Sequence, residues 1–399
     1  MPKQRQIILS LYLPTLILSF GAGMLIPIAP LYARSFEISY SLVGLVLAAQ
    51  GIGNLVGDVP AGMLLSKFGH KWSMLAGVAT LALAMLAMSW AQSVPELLVY
   101  GVVGGLGNAL WNISRHAYMT DLIAIEHRGR ATATFGGINR IGTFLGPALG
   151  GALGATYGLR FPYMVFAGIA LTALVMSALF VNEKMTAQVS RGGLRGHTSH
   201  LVAVAHEHFR ILATAGVGQL LAQMIRAGRT SLVPLYAADV IGLDLHSIGL
   251  IVTLSAAIDM AMFYPAGMIM DRFGRKYASV PSFFIQGIGM ALIPLAGTFG
   301  GLLMATLVIG FGNGIGSGTM LTLGSDLAPK DSMGEFLGLW RLIGDAGSTG
   351  APMVVGGIAD LVGLSLATLV MAGVGFAAAG VLARLVPETL NHRPRMKVV

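Results

Sequence analysis

The chain of 399 residues has no cysteine and little charge. The first absence excludes disulfides and thiolate-held metals, while leaving the redox compartment open. The second excludes more. Only 11% of residues are charged and 55% are hydrophobic, where a soluble domain carries roughly 25% charged residues. Such a chain lacks the polar surface to face water on all sides. No basic soluble domain is present, so the net charge of +8 does not point to nucleic acid. No nucleophile–base constellation and no metal-ligand spacing stand out, so no enzyme activity, cofactor or metal site is expected.

What is present is long apolar sequence. Stretches of about 20 residues read as membrane-spanning helices. Twelve occur, at roughly 7–33, 41–65, 72–92, 96–119, 133–156, 161–182, 209–237, 246–270, 277–297, 300–323, 335–359 and 364–386. The first is too long for a signal-peptide core, and no small-residue cleavage site follows a short apolar stretch. It reads as an uncleaved span despite Lys3 and Arg5 ahead of it. Glycine is abundant, at 55 residues, without a collagen-like period. In lipid, small residues let helices pack closely. The 22 methionines are scattered through the spans and read as core filler.

The basic residues give an orientation. Alternating loops place Lys3, Arg5, Lys67, Lys71, Arg128, Arg130, Lys184, Arg191, Arg195, Arg210, Arg272, Arg275, Lys276, Lys330, Arg384, Arg393, Arg395 and Lys397 on one side. The opposite loops hold Arg34 and Arg160. Both termini are therefore expected in the cytoplasm, with the basic excess facing anionic lipid. The only long connection, 183–208, is polar and glycine-containing and reads as a solvated linker. Its histidines (His197, His200, His206, His208) show no metal-binding spacing.

The chain is also a repeat. Pro60-Ala61-Gly62-Met63 returns as Pro265-Ala266-Gly267-Met268, and Phe68-Gly69-His70-Lys71 as Phe273-Gly274-Arg275-Lys276. The same offset carries Gly107-Asn108 onto Gly312-Asn313, Asp121 onto Asp326, and Pro147 onto Pro352. Pro30-Leu31-Tyr32-Ala33 returns as Pro234-Leu235-Tyr236-Ala237, one residue out of step. A unit of about 200 residues is too long for a solenoid repeat and fits six spans with short loops. The expected domains are 1–182 and 209–399, joined by 183–208.

Two motifs carry a family resemblance. Gly267-Met268-Ile269-Met270-Asp271-Arg272-Phe273-Gly274-Arg275-Lys276 resembles the loop between the second and third spans of each half in the major facilitator superfamily. The first copy, Gly62 to Lys71 with Gly69 in its turn, departs from the pattern. Ser66 stands where the Asp belongs, Lys67 replaces one Arg and His70 the other. Gly142-Thr143-Phe144-Leu145-Gly146-Pro147-Ala148-Leu149-Gly150-Gly151 is similar to the antiporter motif of the superfamily's drug/proton exchangers. The resemblance covers the whole chain. One departure is Gly101, at the place early in span four where such exporters carry an Arg.

These motifs also have a physical reading. Gly142, Gly146 and Gly150 share a helix face, so a neighbour can pack nearly backbone to backbone, and Pro147 bends the span. Arg272, Arg275 and Lys276 can pair with acids at neighbouring helix ends, such as Asp326 or Glu335, to form a latch. Otherwise they only fix topology. Asp121 and Arg128 could play that part in the first half. Gly312-Asn313-Gly314-Ile315-Gly316-Ser317-Gly318 superficially suits a phosphate loop, but it lies within an apolar span and reads as a close-packing surface.

Ionisable residues within spans are costly and point to function. Asp259, near the middle of span eight, corresponds to Asn54 in the other copy. It is a candidate proton carrier, or else one member of a structural ion pair. Asp58 is a weaker candidate. In span seven, Gln219, Gln223, Arg226 and Thr230 form one polar stripe, with Arg229 beside it. Asn108, Asn112 and Arg115 form another in span four. Asn139 and Arg140 precede the glycine face of span five. Arg341 and Asp345 stand one turn apart in span eleven, and Asp345 is a second proton-coupling candidate unless the two simply pair.

Taken together, the chain is expected to be an all-α membrane protein of twelve transmembrane helices in two pseudo-symmetric six-helix bundles. The resemblance implies a substrate cavity between halves, exposed alternately to either side. The expected function is proton-coupled export of small organic or amphiphilic molecules. A metabolite facilitator or proton symporter on the same fold is the alternative. The expected partners are cargo, protons and the inner-membrane lipid bilayer, and the chain is expected to act as a monomer.

Overall fold

The computed structural model describes residues 3–123, 128–182 and 203–390. Residues 183–202 of the expected linker, including His197 and His200, lie outside these. So do the tail residues Arg393, Arg395 and Lys397 and the side chains of Arg128 and Arg130. The described residues are helical and contain no strand. All twelve apolar stretches fall on helix. Among the described residues, eight helical segments are long and apolar enough to cross a membrane: Arg5–Arg34, Tyr40–Trp90, Val94–Leu122, Phe161–Phe180, Leu245–Arg272, Arg275–Leu295, Phe299–Leu327 and Leu364–Leu385. Spans five, seven and eleven are the helices Arg128–Tyr157, Phe209–Tyr236 and Met333–Val362.

Local chemistry sets the helix ends. The Ser39 hydroxyl accepts from the Leu42 N–H at 3.3 Å, and the Thr298 hydroxyl from Gly301 N–H at 3.2 Å, capping spans two and ten. Spans two and three run together as Tyr40–Trp90, interrupted only at Gly69, whose φ is +77°. Its repeat partner Gly274, at φ +120°, separates spans eight and nine. Left-handed backbone at both turns explains why glycine survives there in each copy. The repeat recurs at Gly158 and Gly363, with φ of +88° and +86°.

Two spans are broken. Span eight is Leu245–Ala261 followed by Phe263–Arg272. Span ten is Phe299–Ile315 and Thr319–Leu327, with Gly318 in the left-handed region between them. The Gly312–Gly318 run is thus a packing surface and also an unwound joint. An added Cβ at Gly314 would lie 2.7 Å from the Asp259 carbonyl oxygen, and one at Gly312 2.9 Å from Gln286 N. Each glycine in a helix costs about 1 kcal/mol relative to Ala, so a glycine-rich run is where the helix yields.

The residues group into two compact units, Met1–Ser190 with Pro234–Thr253, and Arg191–Val233 with Leu254–Val399. In the first, glycine faces bring backbones together. A Cβ at Gly146 would stand 2.5 Å from Met24 N, and one at Gly142 2.7 Å from Phe20 N, so span five lies directly on span one. A Cβ at Gly105 would stand 2.8 Å from the Gly53 Cα, which joins spans four and two. Residues 234–253 join this unit at Gly249, where a Cβ would stand 2.6 Å from the Pro147 carbonyl oxygen. Asp239 accepts from Tyr40 OH at 2.8 Å and pairs with Arg34 at 3.2 Å. In the second unit, a Cβ at Gly375 would stand 3.0 Å from the Gly287 Cα, which joins spans twelve and nine, and Phe283 and Phe336 are fully buried.

Gly146→Val is expected to destabilise the first unit by 3 kcal/mol or more, above the roughly 1–3 kcal/mol of ordinary overpacking, because backbone rather than a side chain must move. Gly137→Ala, where nothing lies within 4 Å of an added Cβ, should be near neutral. Thermal unfolding of the two variants in detergent checks the contrast.

Candidate functional site

Polar side chains at mid-span depth meet each other in both units. In the first, Asn108 Nδ2 donates to Asn54 Oδ1 at 3.1 Å. In the second, Asn313 Nδ2 donates to Asp259 Oδ2 at 2.6 Å. These are the same two positions of the repeat, with one amide replaced by a carboxylate. Arg229 lies 3.5 Å from that carboxylate, and the two side chains are 21% and 14% exposed. Asp259 is thus part of a half-buried cluster with a cation and an amide. Asn313 escaped the sequence reading as a site residue, although its repeat partner Asn108 did not. The shared offset of both pairs was the available signal.

The remaining stripe residues of span seven separate. Arg226 donates to the Gly316 carbonyl oxygen at 2.8 Å, at the unwound joint of span ten, and its guanidinium lies 5.1 Å from the Phe283 ring centre. The same carbonyl accepts from the Thr319 N–H at 3.2 Å and the Thr319 hydroxyl at 2.7 Å, so the arginine joins a local turn at the break. Gln219 is buried against Gly344 of span eleven, where a Cβ would stand 2.5 Å from its Nε2, with Gln223 beside it. Arg341 and Asp345 pair at 3.4 Å on their own helix and are exposed, at 60% and 40%. In the first unit Arg115 donates to Asn112 Oδ1 at 2.7 Å. Ser19 hydrogen-bonds to Asn139, and Arg140 is half-buried on the next residue.

The loop motifs converge on helix ends. Arg275, buried, donates from Nε to Asp326 Oδ2 at 2.8 Å and from a terminal nitrogen to the Met270 carbonyl at 2.9 Å. The Thr389 hydroxyl donates to the same Asp326 oxygen at 2.9 Å. Arg272 instead lies over the Phe273 ring, and Asp271 is 85% exposed, 3.8 Å from Arg275. Lys276 donates to the Ala383 carbonyl at 2.5 Å. Gly62 and Gly267 have nothing within 4 Å of an added Cβ, and Lys71 is half-buried. In the first unit the equivalent pair is His70 and Asp121, 3.2 Å apart. The residue standing in for the motif arginine thus keeps its place beside the acid, a partner the sequence reading did not assign.

That reading also missed Glu388. Its carboxylate accepts from the backbone N–H groups of Arg275 and Lys276, both at 2.9 Å, and of Thr389 and Leu390. Burial raises its pKa, but the four backbone donors outweigh that and hold the carboxyl below the ordinary glutamate value. The side chain covers Gly274, where a Cβ would lie 2.5 Å from it. No sequence signal marks this residue beyond its place after the last span.

The profile of the Major Facilitator Superfamily matches residues 11–352 and 215–398. The chain belongs to the Major Facilitator Superfamily. An uncharacterised transporter of the superfamily from Methanocaldococcus jannaschii is 21% identical over 371 residues, covering 92% of this chain and 94% of its own. A quinolone resistance protein of Staphylococcus aureus is 20% identical and covers 97% of each chain. A bacterial homologue of the human lysosomal transporter Spinster, solved inward-facing, superposes with a TM-score of 0.78 at 13% identity over 99% of both chains. The chain is a multi-pass membrane transporter of this superfamily.

Two tests follow from the helix-end network. Arg275→Met leaves Asp326, 7% exposed, without its guanidinium, and is expected to cost about 3–5 kcal/mol in denaturant or thermal unfolding. Glu388 has a folded pKa below its unfolded one. Its stabilisation is therefore present above the ordinary glutamate value and is lost as pH falls from there through the lowered value. Glu388→Gln should remove that increment, so the gap between wild-type and variant melting temperatures is expected to be widest at neutral pH and to close on acidification.

Proposed function

We propose that this transporter is a proton-coupled exporter of small organic or amphiphilic molecules, with Asp259 as the coupling group. The observation that carries the reading is the Asp259–Arg229–Asn313 cluster. It is the place where one amide of the repeat's amide pair has become a carboxylate, and a cation has been added beside it. A carboxylate at membrane depth is expensive unless it has a task. Its partner Arg229 means that protonation does more than silence one charge. A proton arriving from outside neutralises Asp259, releases Arg229 from its ion pair, and changes the charge that cargo meets.

Coupling requires that the loaded states differ in energy, and that change of charge supplies the difference. The working unit in this reading is a monomer of two six-helix bundles, 1–182 and 209–399, joined by 183–208. It exposes a cavity to each side in turn. Asn108, Asn112, Arg115, Asn139, Arg140, Gln219, Gln223, Arg226 and Arg229 are its polar lining. The loop from Gly267 to Lys276 and the Gly142–Gly151 face hold its closed ends. Asp345, paired with Arg341, is the second group able to carry a proton. The drug-resistance role named for the Staphylococcus aureus relative supports the outward direction.

Asp259→Asn is expected to lower proton-driven efflux of a fluorescent quinolone from proteoliposomes at least tenfold, while the variant still purifies as folded protein. Efflux that keeps its full rate and its dependence on the pH gradient removes Asp259 from the coupling role. Cargo moving with the proton rather than against it establishes the symport alternative.

A further inference from the structure

We infer that Arg115 anchors a binding subsite for an organic carboxylate in the first unit. The inference rests on the transporter reading above, whose cargo it narrows. Arg115 is 7% exposed, inside span four, and the hydrogen-bonding and ring groups it meets among the described residues are neutral. One terminal nitrogen donates to Asn112 Oδ1 at 2.7 Å and the other reaches Thr15 Oγ1 at 3.5 Å. The guanidinium carbon lies 4.1 Å from the ring centre of Phe135 and 5.5 Å from that of Trp111. Its Nε has no hydrogen-bond partner. Among the described residues no carboxylate stands within ion-pair distance of it. Arg229 and Arg341 differ, each being held by an aspartate.

A charge taken out of water costs several kcal/mol unless an opposite charge repays it. Two ring faces return part of this, and hydrogen bonds to neutral groups return a little more. The Nε–H lacks a partner and shares its edge with the nitrogen that donates to Asn112. This is one of the two edges through which a guanidinium binds a carboxylate in bidentate fashion, so a bound carboxylate would take Nε and share or displace that amide. The aromatic walls suit a flat apolar body, and the Asn112 amide and Thr15 hydroxyl suit a second polar group. The fitting ligand is an amphiphilic monocarboxylate with an aromatic portion. An anionic lipid headgroup offers the same charge, so the test separates the two.

The test uses the full chain in phosphatidylcholine nanodiscs and three probes of one shape: 2-naphthoate, 2-naphthamide and 2-naphthylmethylammonium. Affinity is read by titration calorimetry and by the melting temperature. Naphthoate is expected to bind at least tenfold more tightly than the other two and to raise the melting temperature. Arg115→Gln is expected to bring naphthoate down to the level of the amide. Arg115→Lys, which keeps the charge without the fork, is expected to weaken it at least threefold. Equal affinity for naphthoate and naphthamide in the wild type overturns the inference, whether or not any variant folds. So does a folded Arg115→Gln or Arg115→Lys variant that binds naphthoate as the wild type does. Discs containing phosphatidylglycerol in which naphthoate no longer binds, with an Arg115-dependent stabilisation by that lipid, make a headgroup the occupant and overturn the cargo subsite. A chain that binds naphthoate through Arg115 but moves no cargo in proteoliposomes overturns the transporter reading instead.

Discussion

At membrane depth there is no water to satisfy a polar side chain, and the arrangement of this protein follows from that constraint. An unmet amide, hydroxyl or charge in an apolar bundle costs several kcal/mol. The chain meets the demand locally and in pairs. Asn108 finds Asn54, Asn313 finds Asp259, Ser19 finds Asn139, and Arg229 stands beside Asp259. Where no side chain serves, the backbone does. Span ten unwinds at Gly316–Gly318, where the Gly316 carbonyl accepts from Arg226 as well as from Thr319. Each polar contact is thus also a constraint on which helices can be neighbours.

The second constraint is the packing that allows those contacts. Lipid tails are as apolar as leucine, so burial alone cannot choose helix partners in a bilayer, and close backbone approach must do so. Gly142 and Gly146 place span five against the backbone of span one at Phe20 and Met24. Gly105 and Gly53 do the same for spans four and two. These contacts leave no space for a methyl group and hold the polar pairs at hydrogen-bonding distance. Where the polar pair carries charge, as at Asp259, the same close packing makes protonation felt by the neighbours.

Much of this was legible in the sequence because the repeat writes each structural requirement twice. The turn glycines Gly69 and Gly274 recur at one offset, and both adopt left-handed backbone. Arg275 and Asp326 were named as possible partners from the loop motif, and they are in contact. The span-ten glycine run read as a packing surface, and it is one, but its unwinding at Gly316–Gly318 was not foreseen. Single-chain periodicity does not report whether a neighbouring helix will supply a donor at such a joint. Glu388 and His70 were missed for a related reason. Their roles depend on helix ends that lie far apart in sequence and meet only after the bundles form.

The sequence by itself determined that the chain crosses a membrane many times, that it is built from two copies of one unit, and where glycine must stand in the turns. Hydropathy, basic-residue placement and backbone sterics act over a few residues, so they can be read along the chain. Only the tertiary structure decided which polar groups share a partner. It gave Asp259 both an arginine and an amide, gave Arg115 no carboxylate among the described residues, and seated Glu388 on the start of span nine. Those outcomes depend on distances between helices, which are fixed by side-chain volume and backbone approach across the bundle rather than by any neighbour in sequence.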